Sequence, residues 1–172
     1  SPVRSCYADP AVLGVDRLAN VTGAAMLFPG RAVLAIDLGT CVTYDLVDDL
    51  SVHRGGVISP GLRMRAHAMH AYSARLPEVQ APENTPFVGT DTSSSLAAGA
   101  HHGLLLELLG FARVFRQQHP GLAVLLTGGD AHRFSSAMKS GIFTLPTLTL
   151  LGLHALLHYA PNGGHPAAPC TR

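Results

Sequence analysis

The sequence predicts a single α/β domain: a mixed sheet with a three-strand meander, and helices on both faces. Three observations predict it. Two short runs, Ala32 to Asp37 and Leu122 to Thr127, are apolar at nearly every position, as strands covered on both sides are. Three strand-like segments follow one another between Ala32 and Ile58 with only tight turns between them, which is the pattern of a meander. Helical periodicity precedes and follows this block. Size agrees, since 172 residues with 47% hydrophobic and 13% charged content can bury a core and are too apolar for a disordered chain.

Each element has its own justification. An amphipathic pattern predicts a helix from Leu13 to Leu27, stopped by the Pro29-Gly30 turn. Ala32–Asp37 is the first strand, Gly39-Thr40 turns into a second over Cys41–Val47, and Asp48-Asp49 turns into a third over Val52–Ile58. Pro60-Gly61 opens a helix running to about Ala74, and the proline-rich stretch Pro77–Gly89 reads as a loop. A long helix is predicted from Ser93 to about His119, with Thr92 or Ser93 as N-cap. Its row of Leu96, Gly99/Ala100, Gly103/Leu104 and Glu107/Leu108 suits either the centre of this domain or a contact between subunits. The strand Leu122–Thr127 ends in Gly128-Gly129, a short helix spans Ala131–Lys139, and a last apolar helix spans Leu145–Tyr159. Residues 1–160 are read as the domain and the tail from Pro161 as disordered.

Composition excludes several function classes. A formal net charge of +1 gives no electrostatic case for nucleic acid, so any bound anion must be held by local geometry. No apolar run reaches the roughly 18 residues that span a bilayer, and Ser1–Tyr7 lacks the regions of a signal peptide. Cys6, Cys41 and Cys170 form no CxxC pair, which predicts neither a zinc site nor a disulfide framework and fits a reducing cytoplasm. His67 and His70, like His101 and His102, sit together without a Cys, Asp or Glu at ligand spacing, so they are read as surface or core residues. Arg63, Arg65, Arg113 and Arg116 are read as solvated helix faces.

Five motifs carry chemistry. Asp37-Leu38-Gly39-Thr40 ends a buried strand, with Thr43 and Asp45 in the next; a carboxylate and a hydroxyl at a glycine turn suit a cation and a phosphate, or merely satisfy a hairpin. Thr127-Gly128-Gly129-Asp130-Ala131 joins a strand to a helix through a bend open to a flat ligand. Gly14-Val15-Asp16-Arg17 opens a helix, with Tyr7 upstream; Asp16 is either an N-terminal helix charge or a base for a substrate hydroxyl. The Gly55–Gly61 segment and Gly89–Thr92 read as turn and cap on their own.

Taken in order, GVDR, DLGT, GGxIxPG, LP, GxDT and TGGDA resemble the type III pantothenate kinases over about Tyr7 to Leu157. DLGT and TGGDA look like the second phosphate loop and the adenosine loop of the wider actin/Hsp70/sugar-kinase superfamily, so the resemblance implies a ribonuclease H-like (actin-like ATPase) fold. It implies ATP-dependent phosphorylation of pantothenate, the first step of coenzyme A biosynthesis, with Mg²⁺ and a monovalent cation (K⁺ or NH₄⁺), in a cytoplasmic homodimer. By the same resemblance Asp16 is the general base, and Gly14, Val15, Asp16 and Arg17 line the substrate site. Arg17 would face the pantothenate carboxylate, with Tyr7 and Thr92 as further contacts. Asp37 would hold the monovalent cation, Gly39 and Thr40 the ATP phosphates, and Gly128 and Gly129 the adenosine. Ser73 stands where the family usually has Thr. The family's first phosphate loop, DxGNT, is not found, so an N-terminal partner domain is expected to be absent from this chain. That gap motivates an alternative, a ligand-binding or regulatory module that kept the kinase scaffold; a third reading is a kinase of the same superfamily acting on a sugar or acetate-like substrate.

Overall fold

The computed structural model describes residues 2–138 and 141–159; the expected tail lies outside that range. Six strands and five α-helices follow in the order β1 (Arg4–Ser5), a 3₁₀ turn (Pro10–Val12), α1 (Val15–Leu27), β2 (Val33–Leu38), β3 (Cys41–Val47), β4 (Val52–Pro60), α2 (Leu62–Ala71), α3 (Thr92–Gln118), β5 (Ala123–Thr127), α4 (Ala131–Ser135), β6 (Ile142–Thr144) and α5 (Leu148–His158). The sheet order is β1-β4-β3-β2-β5-β6. β2, β3 and β4 form the expected antiparallel meander, and β5 and β6 continue it in parallel beyond β2. This is the ribonuclease H-like arrangement the sequence pointed to.

Alternation divides the sheet into two packed faces. Leu34, Ile36, Leu38, Val42, Tyr44, Val124 and Leu126 pack with Ala100, Leu104 and Leu108 of α3 and with α2 and α4. Val33, Ala35, Ala123 and Leu125 pack on the other side against Ala24 of α1 and Leu148 of α5. The long helix thus has Leu96, Ala100, Leu104 and Leu108 inside the domain, while Gly99 and Gly103 face open space and Leu106 is 58% exposed.

Where the structure departs from the sequence reading, the causes are local. β1 and β6 hold two and three residues, too few for a periodic signal, and exist because β4 and β5 offer open edges. The N-cap of α3 is Asp91: its carboxylate accepts from the Ser94 N–H at 3.0 Å, and the Ser94 hydroxyl accepts from the Asp91 N–H at 3.1 Å. Thr92 is therefore the first helical residue. α4 is one short turn, and α5 starts after Pro146. Cys6 is disulfide-bonded and Cys41 is free; the sequence reading expected no disulfide framework, and this bond weakens its argument for a reducing compartment. Arg65, expected on a solvated face, pairs with Glu107 at 2.5 Å in a network that includes the Tyr44 and Ser59 hydroxyls and ties α3 to the sheet. Among the described residues no helix is long and apolar enough to cross a membrane.

Candidate functional site

The carboxyl end of β2 is where the motifs meet. β2 lies between β3 and β5, with Asp37 in register with Thr43 on one side and Thr127 on the other. Beyond it the Gly39-Thr40 turn is exposed, and the Gly61 N–H donates to the Thr40 carbonyl at 3.0 Å, which brings the start of α2 to the same place. The Asp130 N–H donates to the Leu38 carbonyl at 3.0 Å, so the Gly128-Gly129 bend and the start of α4 also lie there. The α1 chain reverses into β2, and so its N-terminus, with Asp16, returns to this end.

Asp37 is the hub. Its Oδ2 accepts from the Asn20 side-chain amide N–H at 2.8 Å, and the Asn20 side-chain oxygen Oδ1 accepts from the Thr149 hydroxyl of α5 at 2.7 Å. Burial pushes the Asp37 carboxyl above the usual carboxylate range; the Asn20 hydrogen bond opposes this, and the nearby negative charges of Asp16 and Asp45 add to it. A partly buried carboxylate beside two other carboxylates favours a cation there. Asn20 is four residues beyond Asp16, so both lie on one face of α1.

Gly128 shapes the other wall. Its φ of +90° lies in the left-handed region, and a Cβ there would come closer than 3.0 Å to Asp37 Oδ1 and to the backbone N and O of Leu38. Replacing Gly128 with Ala should destabilise the fold by about 2 kcal/mol, read by urea unfolding. An unchanged midpoint would show that the bend is not constrained as described.

Asp16 and its neighbours occupy the first turn of α1. Gly14 is the N-cap residue, Gly14 and Val15 are exposed, and the exposed Asp16 carboxylate accepts the Arg17 N–H at Oδ1, 2.8 Å away. Arg17 is different, being only 6% exposed. Its Nε reaches Asp45 Oδ1 and Oδ2 at 3.2 and 3.1 Å, its Nη2 reaches Oδ1 at 2.6 Å, and its Nη1 donates to the Tyr7 hydroxyl at 3.2 Å. The acidic group that Arg17 meets in this chain is thus Asp45, and Nη1 is the edge turned toward Tyr7.

Asp16, Asp37, Gly39, Thr40, Gly128 and Gly129 lie at this end of the sheet, and the Arg17 guanidinium and Tyr7 adjoin it farther back, beside Asp45 and His53. Thr92 does not join them. It heads α3, on the face opposite α1, and fifteen residues separate it from Glu107, which already reaches the end of β4 at Ser59; at 1.5 Å per residue that is about 22 Å of helix. Asn20, His53 and Thr149 are not singled out from sequence, and Asp45 is read there beside the Asp37 motif rather than as the partner of Arg17. For Asn20 a signal existed: it is a polar residue at i+4 from Asp16 in a largely apolar stretch. Among the described residues no cluster of three or more His, Cys, Asp or Glu could hold a metal ion.

Between α2 and α4, on the α3 face, lies a cavity of about 780 Å³ lined by Leu62, Arg63, Ala66, Val79, Ala81 and Arg133 among others. Since α2 and α4 both begin at the Thr40 and Gly128 turns, it adjoins the hub rather than forming a separate centre.

Comparison with known proteins accords with this geometry. A family model of type III pantothenate kinase matches residues 1–113. Curated relatives named type III pantothenate kinase include those of Bacteroides fragilis, 44% identical over 92% of this chain and 65% of its own length, and Phocaeicola vulgatus, 43% identical over the same shares. That of Cytophaga hutchinsonii is 40% identical over 92% of this chain and 67% of its own. The chain therefore spans about two thirds of these relatives, 65% in the first. Among solved structures, a Campylobacter jejuni protein described as a Baf family transcriptional activator superposes with a TM-score of 0.61 at 21% identity, over 86% of this chain and 65% of that one; at that identity it supports the fold alone. With the motifs assembled at one end of the sheet and this degree of identity along most of its length, the chain belongs to the type III pantothenate kinase family.

Proposed function

We propose that this chain forms the acceptor and part of the nucleotide site of an enzyme that phosphorylates pantothenate with ATP. The observation that carries the reading is the meeting of Asp16, Asp37, the Gly39-Thr40 turn and the Gly128-Gly129 bend at one end of the sheet. Asp16 serves as the base: it is exposed, and with Oδ1 fixed by the Arg17 N–H its orientation is set for taking a proton from a hydroxyl. Arg17 and Tyr7 hold the acidic end of the acceptor, with Nη1 of Arg17 and the Tyr7 hydroxyl as the polar edge; Gly14 and Val15 leave the approach open.

The nucleotide and cation fit what these residues offer. Asp37 has one oxygen tied to Asn20 and the other beside the space that a Gly128 side chain would fill, as a monovalent cation such as K⁺ or NH₄⁺ requires. Gly39 and Thr40 are exposed for phosphate oxygens, and Gly128 and Gly129 let adenosine approach the backbone. Bound there, MgATP would supply the phosphoryl group and neutralise its developing charge. The Mg²⁺ would enter with the phosphates, since no described carboxylate cluster is built for it.

Two further parts belong to the same reading. A homodimer through the outward face of α3 would cover Gly99, Gly103 and Leu106 and bring a second copy's Thr92 into play. A cytoplasmic location suits the reaction, and the Cys6 disulfide is the observation against it.

Calorimetric titration of the chain with pantothenate tests the assignment. Wild type should bind, and Asp16→Ala should weaken binding by about tenfold, the loss of one hydrogen bond to a charged group. If wild type shows no heat with pantothenate but binds another hydroxylated acid, the acceptor is a different one and the reading fails.

A further inference from the structure

The contacts behind Arg17 close on themselves. The Tyr7 N–H donates to the Ser5 hydroxyl oxygen at 3.2 Å, Ser5 Oγ lies 2.9 Å from His53 Nδ1, and His53 Nε2 lies 2.9 Å from Asp45 Oδ1. Asp45 accepts from Arg17, whose Nη1 returns to the Tyr7 hydroxyl. One set of directions satisfies every donor: the Ser5 hydroxyl donates to Nδ1, and Nε2–H donates to Asp45. The Tyr7 ring also stacks on His53 at 6.2 Å with planes 10° apart, and the Arg17 guanidinium lies 5.3 Å from the Tyr7 centroid. His53 is fully buried and Asp45 1% exposed.

Two backbone features accompany this ring. The β3–β4 register shifts between Leu46 and Val47, with Leu46 opposite Gly55 but Val47 opposite His53. Without that bulge, alternation from Val57 and Ser59, which face α3, would put His53 on the α3 side; the extra residue re-aims it to the side of Asp45 and α1. Gly55 takes the positive φ of +104° that accompanies the bulge. Gly56, opposite Asp45, has no room for a side chain: a Cβ would run first into the Tyr44 carbonyl oxygen of β3, and would also lie 2.7 Å from Asp45 Oδ1 and 3.0 Å from Arg17 Nη2. The two-residue β1 pairs Ser5 directly with His53.

We propose that Ser5, His53 and Asp45 are positioning residues: they lock Arg17 and Tyr7 in one attitude so that the Nη1 edge and the phenol select a carboxylate on the acceptor. What they serve rests on the function proposed above; that they lock Arg17 does not. A serine-histidine-aspartate hydrolase reading is ruled out by the same geometry, since the histidine is sealed beneath Tyr7 and Asp45 is already paired with Arg17.

Two measurements on the ¹⁵N-labelled chain test it. The first is hydrogen exchange of the Arg17 Nε–H, identified by its loss in Arg17→Lys. It should be protected in wild type, faster by about tenfold or more in Asp45→Asn and His53→Leu, and largely restored in His53→Gln, whose amide can still donate to Asp45. The second is the ratio of affinities for pantothenate and for its neutral primary amide. Wild type should prefer the carboxylate by about tenfold, His53→Leu and Asp45→Asn should lose the preference, and His53→Gln should keep it. A purely structural role would weaken both ligands equally and leave the ratio unchanged, which would overturn the selection claim. Unaltered Nε–H exchange in His53→Leu would overturn the ring itself. If wild type binds neither ligand while the exchange behaves as described, the pantothenate assignment and the selection claim both fall, and the lock on Arg17 stands.

Discussion

Replacing Arg17 with methionine should lower stability by about 3–5 kcal/mol, the range for removing one partner of a buried ion pair. The Arg17 and Asp45 side chains are 7% and 1% exposed, so water cannot take the place of the lost guanidinium. In wild type, burial acts to raise the Asp45 carboxyl, but hydrogen bonds from His53 and Arg17 and the charge of Arg17 outweigh it and hold the group below the usual carboxylate range. A folded-state pKa that is depressed contributes stability above the unfolded value of about 3.9, and the contribution is lost as pH falls through the folded value. The methionine variant reverses the balance. Burial then dominates, the folded carboxyl rises, and the protonated form becomes the one the fold tolerates. The stability gap between wild type and variant should therefore be widest near neutral pH and narrow toward about pH 4 and below. Urea unfolding at neutral and acidic pH reads this directly. A gap that stays constant would assign the loss to packing rather than to an unpaired charge, and Arg17→Met combined with Asp45→Leu should recover much of it.

That pair also marks the limit of what the letters of this sequence disclose. The meander and its parallel extension were legible because Ala32–Asp37 and Leu122–Thr127 are apolar on both faces, and only a covered strand tolerates that. The hub was legible because Asp37, Gly39, Thr40, Gly128 and Gly129 each sit at a strand end, where local sequence and tertiary position coincide. His53, and the link from it to Asp45, were hidden for the opposite reason. Their partnership depends on a bulge, and a one-residue register shift leaves no trace in periodicity while moving a side chain from one face to the other. Arg17 was expected to face the carboxylate of an acceptor; the acid it meets in the fold, Asp45, is twenty-eight positions away, beyond any local pattern. The Asn20 link to Asp37 and Thr149 is similar: Thr149 of α5 lies 129 positions from Asn20, beyond any local pattern.

The crossing of those two helices supports the second large effect, because Gly152→Ala should cost about 3 kcal/mol, at the upper end for overpacking a tight contact. Helix propensity alone predicts the reverse sign, since alanine is favoured over glycine by about 1 kcal/mol inside a helix. Packing decides here. A Cβ at Gly152 would fall closer than 3.0 Å to the carbonyl O, C and Cα of Ala19 in α1, all backbone atoms that no rotamer can move aside. Gly23 repeats the constraint from α1, where a Cβ would lie 2.8 Å from a Leu148 methyl and 3.1 Å from its carbonyl oxygen. The helices must therefore separate, and the next residue along α1 is Asn20, whose 2.7 Å bond to Thr149 and 2.8 Å bond to Asp37 span the same crossing. Losing that bridge removes the one neutral hydrogen bond that lowers the Asp37 carboxyl, leaving burial and the charges of Asp16 and Asp45 to raise it further. Thermal unfolding should show the stability loss, and a pH titration of the Asp37 side-chain carbon signal should show an upward shift in the variant. A Gly152→Ala protein as stable as wild type, with Asp37 titrating unchanged, would mean that α1 and α5 do not set the geometry of the hub.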